Sequence, residues 1–401
     1  MRIGYILLQF PVVSETFIMN ELIELINRGH EVHIFSLIRP QGQIIHPEVE
    51  KYRLLQRTYY LPAYTRLSLE LVKPRTWPVP FSNAYEGRPA KSRLLGKLFS
   101  AAAINHLPKI ISDFHLDVLH THFYGLPTFV TMLASKKTGI PFTFTCHAFD
   151  IFIEPNAKVM RRHMEATAKV ITPSHYNKAY LQNLTGVSEG KIQVIRACTN
   201  IDKFRTIRRL ERELRLLSVG RLVEKKGYSY AIMAVKQLRT EFPEIQFRIV
   251  GSGPLERELN SLVKSLHLDT NVTFLGSLSS DSLTEELAKT TIFVLPCVIA
   301  KNGDMDACPL TLQEAMLAEI PVVSTNVGSI PELITNGKEG FLVDEKNVEQ
   351  LASAIKLLLS DAGLRVRMGK AGRDKVEKEF CIHTEVDKLI KVWEHILLFA
   401  C

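Results

Sequence analysis

The sequence contains no apolar run that approaches the roughly 18 to 20 residues of a membrane-spanning helix. Its start, MRIGYILLQF, lacks the longer apolar core and the small-residue cleavage site of a signal peptide. No period of about 20 to 50 residues recurs, which excludes a solenoid. We therefore expect a cytoplasmic protein whose first residues form a core strand.

Cysteine is scarce, and its spacing matches neither a metal site nor a disulfide framework. The six cysteines are Cys146, Cys198, Cys297, Cys308, Cys381 and Cys401. Among the histidines, His120 and His122 would share one face of a strand, and His147 is the nearby candidate for a third zinc ligand. We favour free thiols and no metal.

The length of 401 residues favours two domains, and 46% hydrophobic with 23% charged residues is typical of a globular protein. The net charge of +8 is unevenly placed. Residues 1–200 hold 23 basic and 14 acidic residues, or +9, whereas the remainder hold 27 and 28, or −1.

A basic segment, residues 51–109, holds 11 Lys and Arg and 2 Asp and Glu, a net charge of +9. Aromatic and leucine side chains lie among these charges, as in segments that bind an anionic membrane surface. A solvated basic loop and helix is the alternative interpretation. No zinc-finger or RNP pattern accompanies the segment, so we expect no nucleic-acid partner.

Apolar strands alternate with amphipathic helices in two series, which predicts parallel sheets covered by helices and hence two doubly wound α/β domains. The polar stretch 196–213 separates the series. We place an N-terminal Rossmann-like domain at residues 1–200 and a C-terminal one at 201–380. Residues 381–401 form a C-terminal helix that we expect to pack back toward the N-terminal domain.

The stretch DACPLTLQEAMLAEIPVVS places Asp306 just before a predicted helix and Glu314 one to two turns inside it. Pro309 suits the first turn, because a helix start leaves its N–H groups unpaired. The free amides and the dipole of that end favour an anion. Two acids beside an anion site suggest a ligand with both hydroxyls and phosphates.

Ligands of open parallel sheets bind beyond the carboxyl ends of the strands, where further polar residues lie. In SVGRLVEKKG, Arg221 and Lys226 could clamp a diphosphate, although a solvated lysine pair is the plainer interpretation. In VGSGP, Gly251 and Gly253 permit close backbone approach or simply form a tight turn.

Two motifs of the first series could serve the same edge. In TCHAFDIF, His147 and Asp150 follow a strand, in either a catalytic or a structural role. In FPVVSETFIMNEL, Ser14 is predicted to cap a helix whose first turn contains Glu15 and Thr16, with a second anion site as the alternative.

Together these residues resemble the group 1, family 4 glycosyltransferases. The most specific part is acid-x7-Glu followed by AMLAEIPVVSTNVGSIPELI, supported in order by VGRLVEKKG, VGSGP, FLGSL and GFLV. FPVVSETFIMNEL, CHAFDIF and DMDACP are similar to the branch containing colanic acid and related exopolysaccharide glycosyltransferases. The resemblance implies the GT-B fold: two facing Rossmann-like domains, acceptor-side and donor-side, with the donor site in the cleft between them.

The resemblance also implies roles for individual residues. Arg221 and Lys226 would hold the donor diphosphate, Glu314 the ribose and Asp306 the sugar hydroxyls, with His147 near the sugar and the acceptor. The four expected catalytic residues are His147, Asp306, Arg221 and Lys226. The expected donor-binding residues are Arg221, Lys226, Gly251, Gly253, Leu278, Asp306, Pro309, Leu310, Thr311 and Glu314, and the N-terminal cleft loop is Ser14, Glu15 and Thr16.

The implied reaction retains anomeric configuration and moves a hexose from a UDP- or GDP-linked donor to a saccharide or lipid-linked saccharide. No cofactor or obligatory metal is expected. An epimerase of the same fold and a non-catalytic sugar-nucleotide-binding subunit are the rival functions. The expected location is cytoplasmic, with peripheral attachment at the inner face of the plasma membrane if residues 51–109 contact lipid.

Overall fold

The computed structural model of the protein describes residues 1–40, 46–61, 106–207 and 214–399. The chain divides into two compact units. Unit 1 comprises Met1–Arg196 together with His383–Cys401, and unit 2 comprises Ala197–Ile382. Each unit is built on one parallel sheet, so the predicted fold class of two Rossmann-like α/β domains is confirmed.

The strands, in chain order, are β1 Arg2–Gln9, β2 Glu31–Ile38, β3 Thr58–Tyr60, β4 Val118–His122, β5 Phe142–Thr145, β6 Lys169–Thr172, β7 Ile192–Val194, β8 Arg215–Val219, β9 Gln246–Val250, β10 Val272–Gly276, β11 Ile292–Val294, β12 Val322–Thr325 and β13 Gly340–Val343. The helices are α1 Thr16–Asn27, α2 Pro47–Lys51, α3 Leu126–Thr138, α4 Phe149–Phe152, α5 Ala157–Ala166, α6 His175–Thr185, α7 Ile201–Arg205, α8 Tyr228–Leu238, α9 Glu256–Ser265, α10 Ser280–Ala288, α11 Leu310–Leu317, α12 Ile330–Leu333, α13 Val348–Ser360, α14 Ala362–Glu379 and α15 Ile382–Leu398. Short 3-10 turns span Leu54–Arg57, Glu189–Lys191 and Glu224–Lys226.

The sheet of unit 1 has the strand order β3-β2-β1-β4-β5-β6-β7. Both faces are covered, and β4 is buried along its whole length. The order reverses between β1 and β4, and the segments that follow these two strands therefore meet at one edge. This topology brings helix α1, which follows β1, next to the end of β4.

Unit 2 repeats this arrangement with the order β10-β9-β8-β11-β12-β13. Its reversal lies between β8 and β11, so the segment after β8 and the segment after β11 meet at the carboxyl edge. Apolar side chains of the sheet and of helices α8 and α13 form the core, among them Ile232, Phe247 and Ile355.

Helix α15 completes unit 1 although it follows unit 2 in the chain. Its Trp393 is fully buried and donates from Nε1 to the Thr143 hydroxyl at 2.9 Å. An ion pair joins Arg28 to Asp387, and the Glu385 carboxylate accepts from the Arg196 backbone N–H at 2.8 Å. The helix is thus bound to the sheet and to α1 by both apolar and polar contacts.

Candidate active site

Helix α11 begins at Leu310, one residue later than predicted, because Pro309 is its N-cap residue. Proline at this position has the extended backbone of a cap and still removes no helical hydrogen bond. Asp306 lies in the preceding loop and Glu314 in the second turn, as the sequence predicts. The two acids nevertheless have different partners.

Asp306 forms a largely buried ion pair with Lys226, whose Nζ lies 2.9 Å from its Oδ2. Lys225 is 3.6 Å from the same carboxylate and 3.0 Å from Asp304, and the Cys297 thiol lies 3.4 Å from Asp306. Burial alone would raise the pKa of Asp306, but the two lysines hold it below its ordinary value. Because β8 and β11 are neighbours where the strand order reverses, Lys226 and Asp306 form one ion pair. The resemblance implied instead that Lys226 holds the diphosphate and Asp306 the sugar hydroxyls.

Lys226 keeps its charge in this setting. Burial opposes the charge, but Asp306 outweighs burial and raises the pKa of Lys226. The lysine ends the 3-10 turn Glu224–Lys226, two residues before the start of helix α8. The helix starts only at Tyr228 because Gly227 is its N-cap residue in a left-handed conformation, with φ 67°.

Glu314 is buried, and its carboxylate accepts from the Thr199 hydroxyl at 3.3 Å. The neighbouring Gln313 donates from Nε2 to the Ala197 carbonyl at 2.9 Å. Burial raises the pKa of Glu314 to about 7, with Lys203 and the Thr199 hydroxyl acting in the opposite direction. The carboxyl group is therefore poised between its neutral and charged forms near neutral pH.

Helix α11 also carries a polar group that no described residue satisfies. The Thr311 hydroxyl, in the first turn, is buried and has no hydrogen-bond partner among the described residues. An unpaired buried hydroxyl costs free energy unless a ligand or water satisfies it. Leu310, beside it, is half-buried.

The two glycine turns of unit 2 pack directly against each other. A Cβ on Gly251 would lie 2.0 Å from the Gly220 carbonyl oxygen, and one on Gly253 would lie 2.5 Å from the Leu222 carbonyl oxygen. These glycines are therefore required by backbone packing, whatever they bind. Arg221 lies in the same region with an exposed side chain, and Leu278, two residues beyond β10, is half-buried.

In unit 1, His147 lies just beyond β5 with 8% of its surface exposed. The rings of Phe17 and Phe123 pack against it with centroids 4.6 Å away. Its backbone N–H donates to the Asp150 carboxylate at 3.0 Å, so Asp150 fixes the loop. Burial lowers the pKa of His147 well below its ordinary value, and nearby His122 adds to this effect.

The N-terminal loop differs from the prediction, since Glu15 and not Ser14 is the N-cap residue and the helix starts at Thr16. The Glu15 backbone N–H donates to the Val12 carbonyl at 3.1 Å, which closes a turn over residues 12–15 and leaves Ser14 exposed within it. Burial raises the pKa of Glu15 to about 7.

Glu21, His120 and His122 are the described residues whose side chains are close enough to share a metal ion, so the third member is Glu21 and not His147 as the sequence suggested. Their polar atoms instead bind one another or neighbours. His120 lies 2.8 Å and 3.2 Å from the Thr143 and Thr145 hydroxyls, and His122 lies 3.0 Å from Glu21. The group forms a hydrogen-bond network.

Sequence reasoning missed four contributors to these sites: Glu21, His122 as a partner of His147, Cys297 and Thr199. Glu21 faces the sheet from helix α1, where it contacts Tyr5 and His122, and an acid within an apolar helix pattern carries no signal by itself. Thr199 lies in a stretch that reads as a linker. The available signal was topological, since the segments after β1 and β4, and those after β8 and β11, adjoin in each sheet.

Within the described part of the chain, no helix is both long enough and apolar enough to traverse a bilayer. The basic segment 51–109 lies mostly outside the described residues, which include only 51–61 and 106–109 of it.

The two halves of the chain match two glycosyltransferase family models. Residues 14–203 match the family model Glycosyltransferase Family 4, and residues 200–375 match the model Glycosyl transferases group 1. WcaL of Escherichia coli K12, provisionally assigned to colanic acid biosynthesis as a glycosyltransferase, is 30% identical over 95% of this chain and 96% of its own length. The amylovoran biosynthesis glycosyltransferase AmsK of Erwinia amylovora is 27% identical over 99% of this chain and 100% of its own length.

Solved structures of similar fold include a glycosyltransferase from Rickettsia africae, with a TM-score of 0.76 and 19% identity over 99% of this chain and 98% of that one. Anabaena Alr3699/HepE, solved in complex with UDP, has a TM-score of 0.71 and 16% identity over 98% of this chain and 100% of that one. At these identities the likeness establishes the fold.

Proposed function

The chain belongs to the group 1, family 4 glycosyltransferases, and from this premise we propose that it moves a hexose from a nucleotide sugar to a saccharide or lipid-linked saccharide, with retention of configuration. We assign the reaction to the biosynthesis of an exopolysaccharide or another cell-surface glycan. The similarity to WcaL and AmsK over nearly the whole chain supports this assignment.

The observation that carries the proposal is the cluster of polar groups at the start of helix α11. The buried pair of Lys226 and Asp306 and the unpaired Thr311 hydroxyl belong to one loop edge of unit 2. A diphosphate would meet a cation, a free hydroxyl and the unpaired amides of the helix start. Arg221, exposed after β8, would supply a second cation.

The acids then bind the two ends of the donor. Glu314 accepts hydrogen bonds from ribose hydroxyls, and Asp306 accepts from hydroxyls of the transferred sugar. Asp306 also forms the ion pair with Lys226. This pair orients the Lys226 ammonium group and partly offsets its positive charge. UDP and GDP both fit this chemistry. HepE was solved in complex with UDP, but that observation concerns HepE alone.

We assign the acceptor to unit 1, where His147 supplies a buried imidazole. The bond from the anomeric carbon to the diphosphate breaks, the acceptor oxygen bonds to that carbon on the same face, and the departing diphosphate takes the acceptor proton. Stabilising the charge of the departing diphosphate is the main catalytic effect of Lys226 and Arg221. We place the enzyme at the cytoplasmic membrane surface through residues 51–109.

A product assay tests this function against its two rivals. The protein is incubated with UDP-glucose, UDP-galactose or GDP-mannose, with and without saccharide and lipid-linked acceptors, and the products are analysed by mass spectrometry and NMR. Transfer to an acceptor with retained anomeric configuration supports the proposal. Conversion of the donor sugar without an acceptor indicates an epimerase, and binding without turnover of any donor indicates a non-catalytic subunit.

A further inference from the structure

A continuous chain of polar contacts runs through unit 1 from helix α1 to His147. The Tyr5 hydroxyl donates to Glu21 Oε1 at 2.6 Å, and His122 Nε2 lies 3.0 Å from the same oxygen. His122 Nδ1 lies 3.0 Å from His147 Nε2. Three elements contribute: β1 holds Tyr5, α1 holds Glu21, and His122 ends β4.

The positions of the protons in this chain follow from the donors and acceptors. Burial alone would raise the pKa of Glu21, but His122 and the Tyr5 hydroxyl outweigh burial and hold it below the ordinary value. Glu21 is therefore a carboxylate, which can only accept. The hydrogen between Glu21 and His122 must belong to His122 Nε2.

In the form of the network in which His122 has a single proton, on Nε2, its Nδ1 has a lone pair. The contact of 3.0 Å to His147 Nε2 then requires that His147 donate, so its single proton lies on Nε2. The other ring nitrogen, Nδ1, carries a lone pair. The carboxylate of Glu21 thus determines, through His122, which nitrogen of His147 can accept a hydrogen bond.

We propose that Glu21 and His122 are positioning residues that hold His147 in the Nε2–H form, so that its Nδ1 accepts a hydrogen bond from a hydroxyl of the acceptor. This inference rests on the proposed function only for the identity of the hydroxyl. The proton arrangement itself is a property of the free protein.

Packing holds the His147 ring in place, so the position of its proton is the main property that can change. Phe17 and Phe123 pack against the ring, and Asn177 donates to the His147 carbonyl oxygen. Among the described residues, Tyr5, Glu21 and His120 lie against His122, and the Asp150 carboxylate accepts from the His147 backbone N–H. Burial, together with His122, lowers the pKa of His120 to about 3, so His120 adds no charge at neutral pH.

Acid reverses the arrangement. When both nitrogens of His122 carry hydrogens, its Nδ1 donates to His147 Nε2. His147 must carry its remaining proton on Nδ1, where it can no longer accept from a hydroxyl. We therefore expect turnover to fall on the acid side, with the pH of that fall determined in part by the Glu21 charge.

The first experiment measures the proton position directly, without any substrate. Long-range ¹H–¹⁵N correlation spectra of the full chain with ¹⁵N-labelled histidine distinguish a protonated Nδ1 from a protonated Nε2. We expect a single Nε2–H form of His147 at pH 8 in the wild-type protein. In His122→Phe, which keeps a ring but loses the acceptor, we expect both forms to be populated.

The second experiment measures turnover against pH. His122→Phe is expected to lower kcat about tenfold, the scale of losing one well-placed hydrogen bond, while the KM of the donor changes less. Glu21→Gln loses the charge but keeps an amide oxygen for His122. Its acid fall in kcat is expected to move to lower pH, because the anion that favours a second proton on the histidine pair is gone.

His163→Phe is the matched control, because His163 is another buried histidine of unit 1 that lies outside the chain of contacts. It is expected to leave the His147 spectrum and the pH profile unchanged. If Glu21 had only a structural role, Glu21→Gln would be less stable in acid, and its acid fall in kcat would move to higher pH.

An Nδ1–H form of His147 in the wild-type protein overturns the inference, as does an unchanged or raised acid fall in Glu21→Gln. If the spectra show the expected form but no nucleotide sugar is turned over, the proposed function fails while the proton arrangement stands. If transfer occurs with both tautomers populated in the wild-type protein, the inference fails while the function stands.

Discussion

The Lys226 ammonium and the Asp306 carboxylate form a 2.9 Å ion pair inside unit 2, although they are far apart in the chain. Neither group is independent, because a ligand that binds one changes the field at the other. A diphosphate brings negative charge to Lys226 and so competes with Asp306 for it. If Asp306 binds the sugar and Lys226 the diphosphate, as proposed, the two residues should respond together to substitution.

Lys226→Ala and Arg221→Ala should each lower turnover by roughly a hundredfold or more, the scale of losing one preorganised group that stabilises developing charge. The assay is kcat at saturating donor. Lys356→Ala is the control, since Lys356 pairs with Glu241 on a half-exposed surface of the same unit. Activity of both variants within a few-fold of the control would contradict the diphosphate assignment.

Asp306→Asn should lower the free energy of unfolding by about 3 kcal/mol, because it leaves Lys226 buried without its main partner. Asp304→Asn, which loses the Lys225 pair in the same loop, is the matched control and should cost less, because Lys225 also lies near Asp306. The double variant with Lys226→Ala should recover part of the stability and none of the turnover. Chemical denaturation and kcat measured on the same preparations separate the two effects.

Calorimetric titrations should distinguish the two acids. Glu314→Gln should weaken binding of the bare nucleoside diphosphate by about 1.5 to 3 kcal/mol, the scale of a charge-assisted hydrogen bond. Asp306→Asn should leave that affinity nearly unchanged or slightly tighter, because Lys226 loses a competing anion, yet turnover of the intact donor should fall. Equal weakening of the bare diphosphate by both variants would refute the assignment of Asp306 to the sugar.

Glu314 should also make stability depend on pH. Burial raises its pKa to about 7 in the folded protein, whereas an unfolded glutamate titrates near about 4.3. Between these values the folded state binds more protons than the unfolded state, so its contribution is present in full below the lower value and is lost as the pH rises to about 7.

Denaturant unfolding of the wild-type protein and of Glu314→Gln between pH 4.5 and 8 measures this contribution. The difference between the two unfolding free energies should change across that interval, with the wild-type protein losing stability relative to the variant as the pH rises. A difference that stays constant over the interval would place the Glu314 titration elsewhere.

The basic segment 51–109 should bind anionic vesicles and be released by salt, because exposed charges are screened over about 10 Å at 0.1 M. Sedimentation of the full chain with anionic and with neutral vesicles, at low and at high salt, measures this. Equal partitioning onto both vesicle types would eliminate the electrostatic basis of the proposal.

Most of the fold could be predicted from the sequence, because buried parallel strands are apolar runs and the helices between them are amphipathic. Helix α14 is harder to predict from the sequence, for a physical reason. It is rich in charge and contains Gly369 and Gly372, which lower helix propensity. A Cβ on Gly369 would lie 2.0 Å from the Glu319 carbonyl oxygen, so this glycine serves close packing.

The site was less predictable than the fold. The sequence identified His147, Lys226, Asp306 and Glu314 as polar residues near strand or helix ends, because each follows a strand or flanks a helix start. It could not show that Lys226 and Asp306 bind each other or that Glu21 reaches His122. Those contacts depend on which strands are neighbours, and strand order is not encoded in any local pattern.

The place of helix α15 in unit 1 affects how the protein is made. The ribosome synthesises the first sheet and then all of unit 2 before it produces Trp393, whose indole packs at Thr143. Until then unit 1 lacks the apolar contacts and the ion pairs of helix α15. Unit 1 is therefore the part of the nascent chain that is most accessible to proteases and chaperones. Chains that end just before helix α15 would complete unit 2 and leave unit 1 unfinished, so quality control should recognise them through unit 1.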